Sequence, residues 1–460
     1  MYWANFLHIY QPPTQKEYWV KKIANESYRK LMSGLKKHPS AKLTLNINAG
    51  LTELFDRYNC KDVIRDIRFL AEKGQIELTA SAKYHPFLPL MPESEIKRQI
   101  ELNTITNKKF FGDIYNPTGF FPPEMAYSRA VGETVAKLGY RWMILDELAH
   151  SGDLNQVDWS TIYALKGFDD FFVFFRERAA SFRILSAEIG MSVFSGSMLV
   201  KLLGERVNNN EYLITAMDGE TFGHHRPGLE QLLFDLYETP ELTAATLSDL
   251  PSHFSKRAAI DPRPSSWALM KRDIEQNTPY SRWQDKDNEI HAMQWELTYM
   301  AISAVEKLGP THPDYPVLRE RLDRGVHSDQ YWWASAMPWW SIEMIEAGAK
   351  DLKEIVQRSQ LSEQEKMHAQ ELYQNIIFTA FEWQRSGKVD VMAKSADEDV
   401  TQRITTDIPY IPADEFKQML DNLEKQMHEA ADAQEYERAA QIRNRVNELK
   451  EKQDQLTTKH

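Results

Sequence analysis

Short apolar runs of strand length recur through the first half of the chain, and longer helix-compatible segments separate several of them. The runs occupy residues 2–8, 42–47, 75–79, 118–121, 141–145, 172–175 and 212–217. The segments between them include residues 60–73 and 93–110. Strands that alternate with helices predict a parallel sheet with crossover connections. The expected fold class is therefore α/β, and the number of runs fits a closed or nearly closed β/α barrel.

Polar side chains accompany the predicted strands. His8 follows the first run, Glu77 lies within the third, Glu124 follows the fourth and Asp218 follows the last. In a β/α barrel the active site collects at the carboxyl ends of the strands. We therefore expect these side chains to contribute to one site.

The pattern changes in the second half of the chain, where helical periodicity and tryptophan dominate, as in residues 292–308 and 328–349. A polar stretch with Pro409 and Pro412 follows and is typical of a linker. The last segment is charged and helical. The predicted division is a barrel, a helical region that completes the site, a linker and a terminal hairpin, over residues 1–284, 285–392, 393–412 and 413–460.

The overall composition limits the function classes. The net charge of −12 disfavours sequence-independent binding of nucleic acid, which needs a dense basic face. Cys60 is the single cysteine, so a disulfide within the chain and a cysteine-based zinc site are excluded. The first residues do not resemble a signal peptide, and no apolar run approaches the roughly 20 residues of a membrane helix. We expect a cytoplasmic protein without membrane contact.

Two strand ends carry the residues best suited to chemistry. Pro122 and Pro123 precede Glu124 and would hold it rigidly, since proline fixes φ and removes a backbone donor; the alternative is a helix-initiating carboxylate that favours the helix dipole. Asp218 opens a dense polar segment, residues 218–225. Two carboxylates from separate strands could flank a scissile bond, one ionised and one protonated. Such pairs are the usual apparatus of glycoside hydrolysis.

Metal and cofactor chemistry have little support in the sequence. The chain lacks His-Glu-x-x-His and a glycine-rich phosphate loop, which are the usual signatures of those chemistries. It also lacks Gly-x-Ser-x-Gly, so a serine nucleophile elbow has no support. A metal site built from His8, His85, His150 and Asp218 is conceivable, but no spacing supports it. We expect neither a metal nor a cofactor.

Five short segments stand in order along the chain: His8-Ile-Tyr-Gln-Pro12, Gly74-Gln-Ile-Glu77, Phe121-Pro-Pro-Glu124-Met-Ala-Tyr127, Asp218-Gly-Glu-Thr-Phe-Gly223 and Ser328-Asp-Gln-Tyr-Trp-Trp333. Together they resemble the marker regions of family 57 glycoside hydrolases. Tyr10 stands in the first segment where a second histidine is usual, and Ser328 stands in the fifth where an asparagine is usual. The resemblance covers about residues 1–350.

The resemblance implies a (β/α)7 barrel and a retaining mechanism without a metal, acting on α-glucans. Glu124 would be the nucleophile and Asp218 the acid/base, with carboxyl groups about 5–5.5 Å apart. The departures at positions 10 and 328 leave the subtype open. The residues implied to bind sugar hydroxyls are His8, Glu77, Glu220 and Asp329, and the candidate stacking platforms are Trp267, Trp283 and Trp332.

The tail resembles a UVR motif, a helical hairpin that binds protein partners in bacterial excision-repair proteins and stress-response adaptors. Apolar residues at helical spacing fit two amphipathic helices that meet near residues 433–435. A solvated charged helix or coiled coil is the alternative. The resemblance implies a protein partner or self-association through residues 413–460.

Two other functions compete with a glucan-active enzyme. One is a carbohydrate-binding or regulatory protein with a degenerate site, and the presence of both Glu124 and Asp218 argues against it. The other is a metal-dependent carbohydrate deacetylase on a similar barrel, which inhibition by a chelator would identify.

Overall fold

A computed structural model describes residues 1–186, 196–394, 413–432 and 436–451. Within these residues the apolar runs of the first half form strands. The strands are β1 (Tyr2–Ile9), β2 (Leu43–Ile47), β3 (Ile76–Leu78), β4 (Gly119–Phe120), β5 (Trp142–Asp146), β6 (Thr161–Leu165), β7 (Phe168–Arg176), β8 (Tyr212–Asp218), β9 (Thr243–Ala245) and β10 (Lys256–Ile260).

Seven of these strands close into a (β/α)7 barrel, as predicted. Strand β1 pairs in parallel with β2 and β8, β2 pairs with β3, and β5 pairs with β4 and β7. A parallel bridge from Ala80 to Phe120 joins β3 to β4. The Glu177 N–H donates to Ile214 O at 2.7 Å and joins β7 to β8. The predicted strand set is confirmed, and β6, β9 and β10 are additions to it.

The helices follow the strands in the alternating order that parallel pairing requires. Asn48 caps one of them by accepting from Gly50 N, and Ser128 caps another by accepting from Val131 N. The helices through the barrel are α1 (Glu17–Ile23), α2 (Arg29–Lys37), α3 (Ala49–Arg57), α4 (Lys61–Glu72), α5 (Glu93–Phe111), α6 (Arg129–Lys137), α7 (Leu148–Ser151), α8 (Arg178–Ser186), α9 (Gly196–Leu203), α10 (Leu229–Tyr237), α11 (Leu250–His253) and α12 (Lys271–Glu275).

The tryptophan-rich second half is helical. Residues 328–349, which the periodicity predicted as one helical stretch, form two helices interrupted around Pro338, because proline cannot continue a helix. The helices are α13 (Glu289–Leu308), α14 (Tyr315–Gly325), α15 (Asp329–Trp332), α16 (Ile342–Arg358) and α17 (Glu363–Ser386). A buried ion pair from Arg319 to Glu95 and a partly buried one from Arg98 to Asp323 tie α14 to the barrel helix α5.

The tail forms the two helices that its apolar spacing predicts, α18 (Ala413–Asp432) and α19 (Tyr436–Glu451). Leu423, Ile442 and Val446 are buried, and they lie on the two helices that pack together. The predicted turn at residues 433–435 and most of the predicted linker, residues 395–412, lie outside the described residues. Among the helices of the described part, none combines the length and apolar character that a membrane span requires.

Candidate active site

Parallel pairing brings the ends of β1, β2 and β8 together. His8 is in register with Asp218 on one side and with Asn46 on the other. His8 and Asp218, two of the residues that were predicted to meet, therefore lie side by side, because the carboxyl ends of parallel strands open at one end of the barrel.

Glu124 follows β4 in a constrained conformation. Its φ of 62° is left-handed, and Met125 after it also has a positive φ. Non-glycine residues seldom adopt this region, which costs about 1–3 kcal/mol and is concentrated at functional sites. Trp267 holds Glu124 twice: its backbone N–H donates to Glu124 O at 3.0 Å, and its indole Nε1 donates to Glu124 Oε2 at 2.7 Å.

Glu124 and Asp218 interact electrostatically in a buried environment. Burial raises the pKa of Glu124 to about 8, and the negative charge of Asp218 adds to the shift. Burial also raises the pKa of Asp218 to about 6, although the charge of Arg176 lowers it. Two buried carboxyl groups that repel each other do not both ionise readily. The pair is therefore suited to hold one proton at neutral pH.

A buried ion pair between Arg176 and Asp146 lies next to the segments that carry both carboxyl groups. Arg176 donates from Nε to Asp146 Oδ2 at 2.8 Å and from Nη2 to Trp267 O at 3.0 Å. It also donates from Nη1 to Ala216 O at 3.3 Å, on the strand that ends at Asp218. Arg176 thus connects the backbone of Trp267 with the strand that carries Asp218.

The helical region contributes Asp329 to the site. Its Oδ2 accepts from the Tyr10 hydroxyl at 2.6 Å and lies 3.0 Å from His327 Nδ1. Burial alone would raise the pKa of Asp329, but the hydrogen bond and charge of His327 lower it below its usual value. Asp329 is therefore an ionised carboxylate, and the predicted fifth segment meets the first segment across the barrel mouth.

Two histidines form a hydrogen-bonded chain beside Glu124. The Ser328 hydroxyl lies 3.0 Å from His85 Nδ1, and His85 Nε2 lies 3.1 Å from His8 Nε2. His8 Nδ1 lies 2.8 Å from Asn46 Oδ1. Burial lowers the pKa of His8 and brings that of His85 to about 4, so both rings are neutral. His85 was missed as part of a carboxylate site because no spacing links it to the strand ends.

Glu220 lies near Asp218, and its role in binding sugar stays a prediction. Its Oε1 accepts from the Tyr28 hydroxyl, from Tyr10 N at 3.1 Å and from Gln11 Nε2 at 3.3 Å. Burial and the charge of Asp218 raise the pKa of Glu220 to about 8. These hydrogen bonds to Tyr10 and Gln11 hold the loop after β1 in place.

Glu77 lies away from Glu124, Asp218 and the other residues of the candidate site. Glu77 is in register with Thr44, and it accepts from the hydroxyls of Thr44 and Ser248. Ser248 also accepts from the indole of Trp142, the first residue of β5. These contacts lie at the amino ends of the strands, opposite the carboxyl pair. The prediction that Glu77 lies in the sugar-binding site was therefore wrong.

The three predicted stacking tryptophans have different positions. Trp267 borders Glu124 and lies 6.1 Å from His8 between ring centroids. Trp283 is fully buried and stacks on Phe87 at 4.6 Å, so it is a core residue and the prediction for it was wrong. Trp332 is partly buried against Trp283, and its role as a platform stays a prediction.

No group of three or more metal-ligating side chains occurs in the described part of the chain. His150 packs edge-on against Tyr163 and Phe175, whereas His8 and His85 adjoin the carboxyl pair. The four residues of the conceivable metal site are therefore not assembled.

The sequence model of glycosyl hydrolase family 57 matches residues 2–257, which include both carboxyl groups of the pair. The chain belongs to glycosyl hydrolase family 57. A second model, the UvrB/uvrC motif, matches residues 417–452 of this family 57 protein, the segment that forms the α18–α19 hairpin.

Curated relatives match short parts of the chain. An alpha-amylase of Pyrococcus horikoshii is 28% identical over 141 residues, covering 31% of this chain and 22% of the relative. A 1,4-alpha-glucan branching enzyme of Thermococcus kodakarensis is 40% identical over 73 residues, covering 16% and 10%. The matches thus span about a fifth of the relatives' length or less.

Solved structures match more of the fold. A family 57 branching enzyme of Thermococcus kodakaraensis, crystallised with glucose, has a TM-score of 0.61 at 16% identity, covering 81% of this chain and 94% of that one. A 4-alpha-glucanotransferase of Thermococcus litoralis has a TM-score of 0.60 at 17% identity, covering 79% and 59%. These similarities show a shared fold.

Proposed function

We propose that this family 57 protein is a retaining glycoside hydrolase or transglycosylase acting on α-glucans, with Glu124 as nucleophile and Asp218 as acid/base. The observation that carries the proposal is the buried, mutually repelling pair that two separate strands place at one barrel mouth. The names of the relatives, alpha-amylase, glucanotransferase and branching enzyme, support α-glucan as the substrate class.

The proposed reaction uses the two groups in turn. Glu124 attacks the anomeric carbon while Asp218 gives its proton to the leaving glycosidic oxygen, so that a covalent glycosyl-enzyme forms. Asp218 then removes a proton from water or from an acceptor sugar, which displaces Glu124. Water as acceptor gives hydrolysis, and a sugar hydroxyl gives transfer.

In the free protein, the order of the two pKa values is the reverse of the order that these roles require. Glu124, at about 8, would hold the shared proton in preference to Asp218, at about 6, whereas the mechanism needs an ionised nucleophile and a protonated acid. A bound sugar that covers Asp218 would exclude water and favour its neutral form. The indole N–H of Trp267 stabilises an ionised Glu124. Glu124 and Asp218 take their proposed roles from the family segments in which they stand.

A trapping experiment decides between the two assignments. The wild-type protein is incubated with a 5-fluoro glycosyl fluoride of an α-glucan, digested and analysed by mass spectrometry. We expect the sugar on Glu124. A label on Asp218 would reverse the roles, and inversion of the anomeric centre in the product would exclude a retaining mechanism.

Substitution tests the site itself. Glu124→Gln removes the nucleophile, and we expect turnover of maltooligosaccharides to fall by several orders of magnitude with the fold intact. More than about a tenth of the wild-type rate would mean that less than ~1.4 kcal/mol of barrier is involved, and the assignment would be wrong. Glu77→Gln, a carboxylate at the opposite strand ends, is the matched control and should retain most activity.

We also propose that the α18–α19 hairpin, residues 413–451, binds a second protein or a second copy of the chain. The match to the UvrB/uvrC motif supports this role. Comparing the full chain with one that lacks the hairpin, by light scattering and by pull-down, tests it.

A further inference from the structure

An exposed aromatic pair lies at the start of α1. Tyr18 is 64% exposed and Trp19 is 42% exposed, and their rings meet edge-on with centroids 5.2 Å apart. The Lys22 ammonium lies over both rings, 5.9 Å from the Tyr18 centroid and 5.3 Å from the Trp19 centroid. Scattered single aromatics on a surface are ordinary, but a contiguous aromatic group with a donor resembles a binding surface.

The barrel topology places this pair on the same side as the active site. Helix α1 is the first helix after β1, and helices that follow barrel strands begin at the carboxyl ends of those strands. Six residues separate Tyr10, which contacts Asp329 and Glu220, from the first residue of α1. Tyr18 and Trp19 therefore lie beyond the rim of the candidate active site.

A second exposed tryptophan lies across the rim. Lys16, which precedes α1, forms a 3.4 Å ion pair with Glu343 at the start of α16. Trp339 lies four residues before Glu343, is 49% exposed and contacts Trp333 edge-on. The loop that carries Trp339 follows Asp329 and Trp332 in the chain. Exposed aromatic side chains therefore lie close in sequence to both partners of the Lys16–Glu343 ion pair, which joins the barrel to the helical region.

We propose that Trp19, with Tyr18 and Lys22, forms an accessory binding site for α-glucan chains that extend out of the active site. This inference rests on the proposed function. The apolar face of a pyranose ring can pack on an aromatic ring, which combines apolar area with little loss of side-chain entropy, while the Lys22 ammonium donates to sugar hydroxyls. A chain long enough to reach from the carboxyl pair to α1 gains this contact, and a short oligosaccharide does not.

The test compares long and short substrates in the full-length protein. For Trp19→Ala we expect the KM for amylose to rise about fivefold, with kcat/KM for maltotriose within twofold of wild type. Trp19→Phe keeps an aromatic face and should keep most of the affinity. Phe69→Ala is the matched control, because Phe69 is 44% exposed and lies under Lys36 and Lys73, but near the end of α4, at the opposite side of the barrel.

Affinity electrophoresis in amylose gels measures binding independently of turnover. The wild type should be retarded, and Trp19→Ala should lose most of that retardation while Phe69→Ala keeps it. Equal retardation of wild type and Trp19→Ala, or no retardation of the wild type, would overturn the inference. If maltotriose is not converted, the proposed function fails, and the gels still report on Trp19. Should Trp19→Ala not fold, Tyr18→Ala serves as the second variant.

Discussion

The indole Nε1 of Trp267 donates a 2.7 Å hydrogen bond to Oε2 of Glu124, while the Trp267 backbone N–H donates to the Glu124 carbonyl. One residue thus fixes both the side chain and the left-handed backbone of the proposed nucleophile. Arg176 in turn holds the Trp267 carbonyl. Because ionisation of Glu124 is opposed by burial, the indole donor is the contact that favours the reactive form.

Removing this donor should move the acidic limb of the pH–rate profile. The indole hydrogen bond lowers the pKa of Glu124, so its loss in Trp267→Phe raises that pKa further. If ionised Glu124 attacks the sugar, activity is lost as the pH falls through its pKa, and the limb of kcat/KM moves to higher pH. Hydrogen bonds to charged groups contribute about 1.5–3 kcal/mol, so we expect a shift of about one pH unit or more.

The control for this profile is Trp295→Phe. Trp295 also donates through its indole, to the carbonyl of Trp283, but it lies in the helical core. Its replacement should change stability and leave the acidic limb in place. If the acidic limb moves in neither variant, the indole of Trp267 does not set the pKa of Glu124.

Asp218→Asn should impair substrates with poor leaving groups far more than activated aryl glycosides. An activated leaving group needs little protonation, so the first step survives loss of the general acid. Azide should then restore turnover of the activated substrate, because a small anion needs no general base. Asp329→Asn is the comparison, since a residue that only binds sugar should affect both substrate classes alike. Equal losses for Asp218→Asn without azide rescue would contradict the assignment.

The positions of the strands along the chain and the grouping of the two carboxyl groups were predictable because both follow from local patterns. Apolar runs locate the strands, and the strand-end rule then groups Glu124 with Asp218. The position of a residue along the barrel axis depends on the register between neighbouring strands, which cannot be read from the sequence. Glu77 pairs with Thr44, two positions before Asn46, the partner of His8. Two residues of a strand correspond to about 6–7 Å, enough to place Glu77 near the other end.

Other members of the site depend on contacts between distant segments. His85 reaches His8 across 77 positions, and Arg176 reaches the Trp267 carbonyl across 91. No periodicity marks such residues before the fold is known. The same holds for the tryptophans, because tertiary packing makes Trp267 a site residue and Trp283 a core residue.

Tyr10→Phe should lower kcat/KM by about tenfold or more. The change removes the 2.6 Å hydrogen bond from the Tyr10 hydroxyl to Asp329, and a hydrogen bond to a charged group contributes about 1.5–3 kcal/mol. Phenylalanine keeps the ring that stacks on His85 at 4.1 Å. The measurement is kcat/KM on maltooligosaccharides. Tyr299→Phe, which loses a hydroxyl contact to Leu90 O on the surface, should stay within twofold, and equal rates for both variants would remove Tyr10 from the site.

Removing the hairpin should separate catalysis from assembly. A chain that ends at Pro412 retains both members of the carboxyl pair and Asp329, so we expect its rate on maltooligosaccharides to stay within twofold of the full chain. Leu423 and Ile442 are buried on α18 and α19, and most helical stability in proteins comes from the packing of an apolar helix face. Packing against another protein surface would bury further apolar area and stabilise the two helices.

Light scattering and pull-down on the truncated chain measure the loss of that contact, and Leu423→Asp in the full chain should reproduce it by separating α18 from α19. Leu423 is fully buried, so a charge there has no partner and is costly. An unchanged assembly state and partner set in both variants would leave the hairpin without this role. A truncated chain that unfolds would show instead that the hairpin stabilises the rest of the protein, because no strand or helix of the barrel is removed.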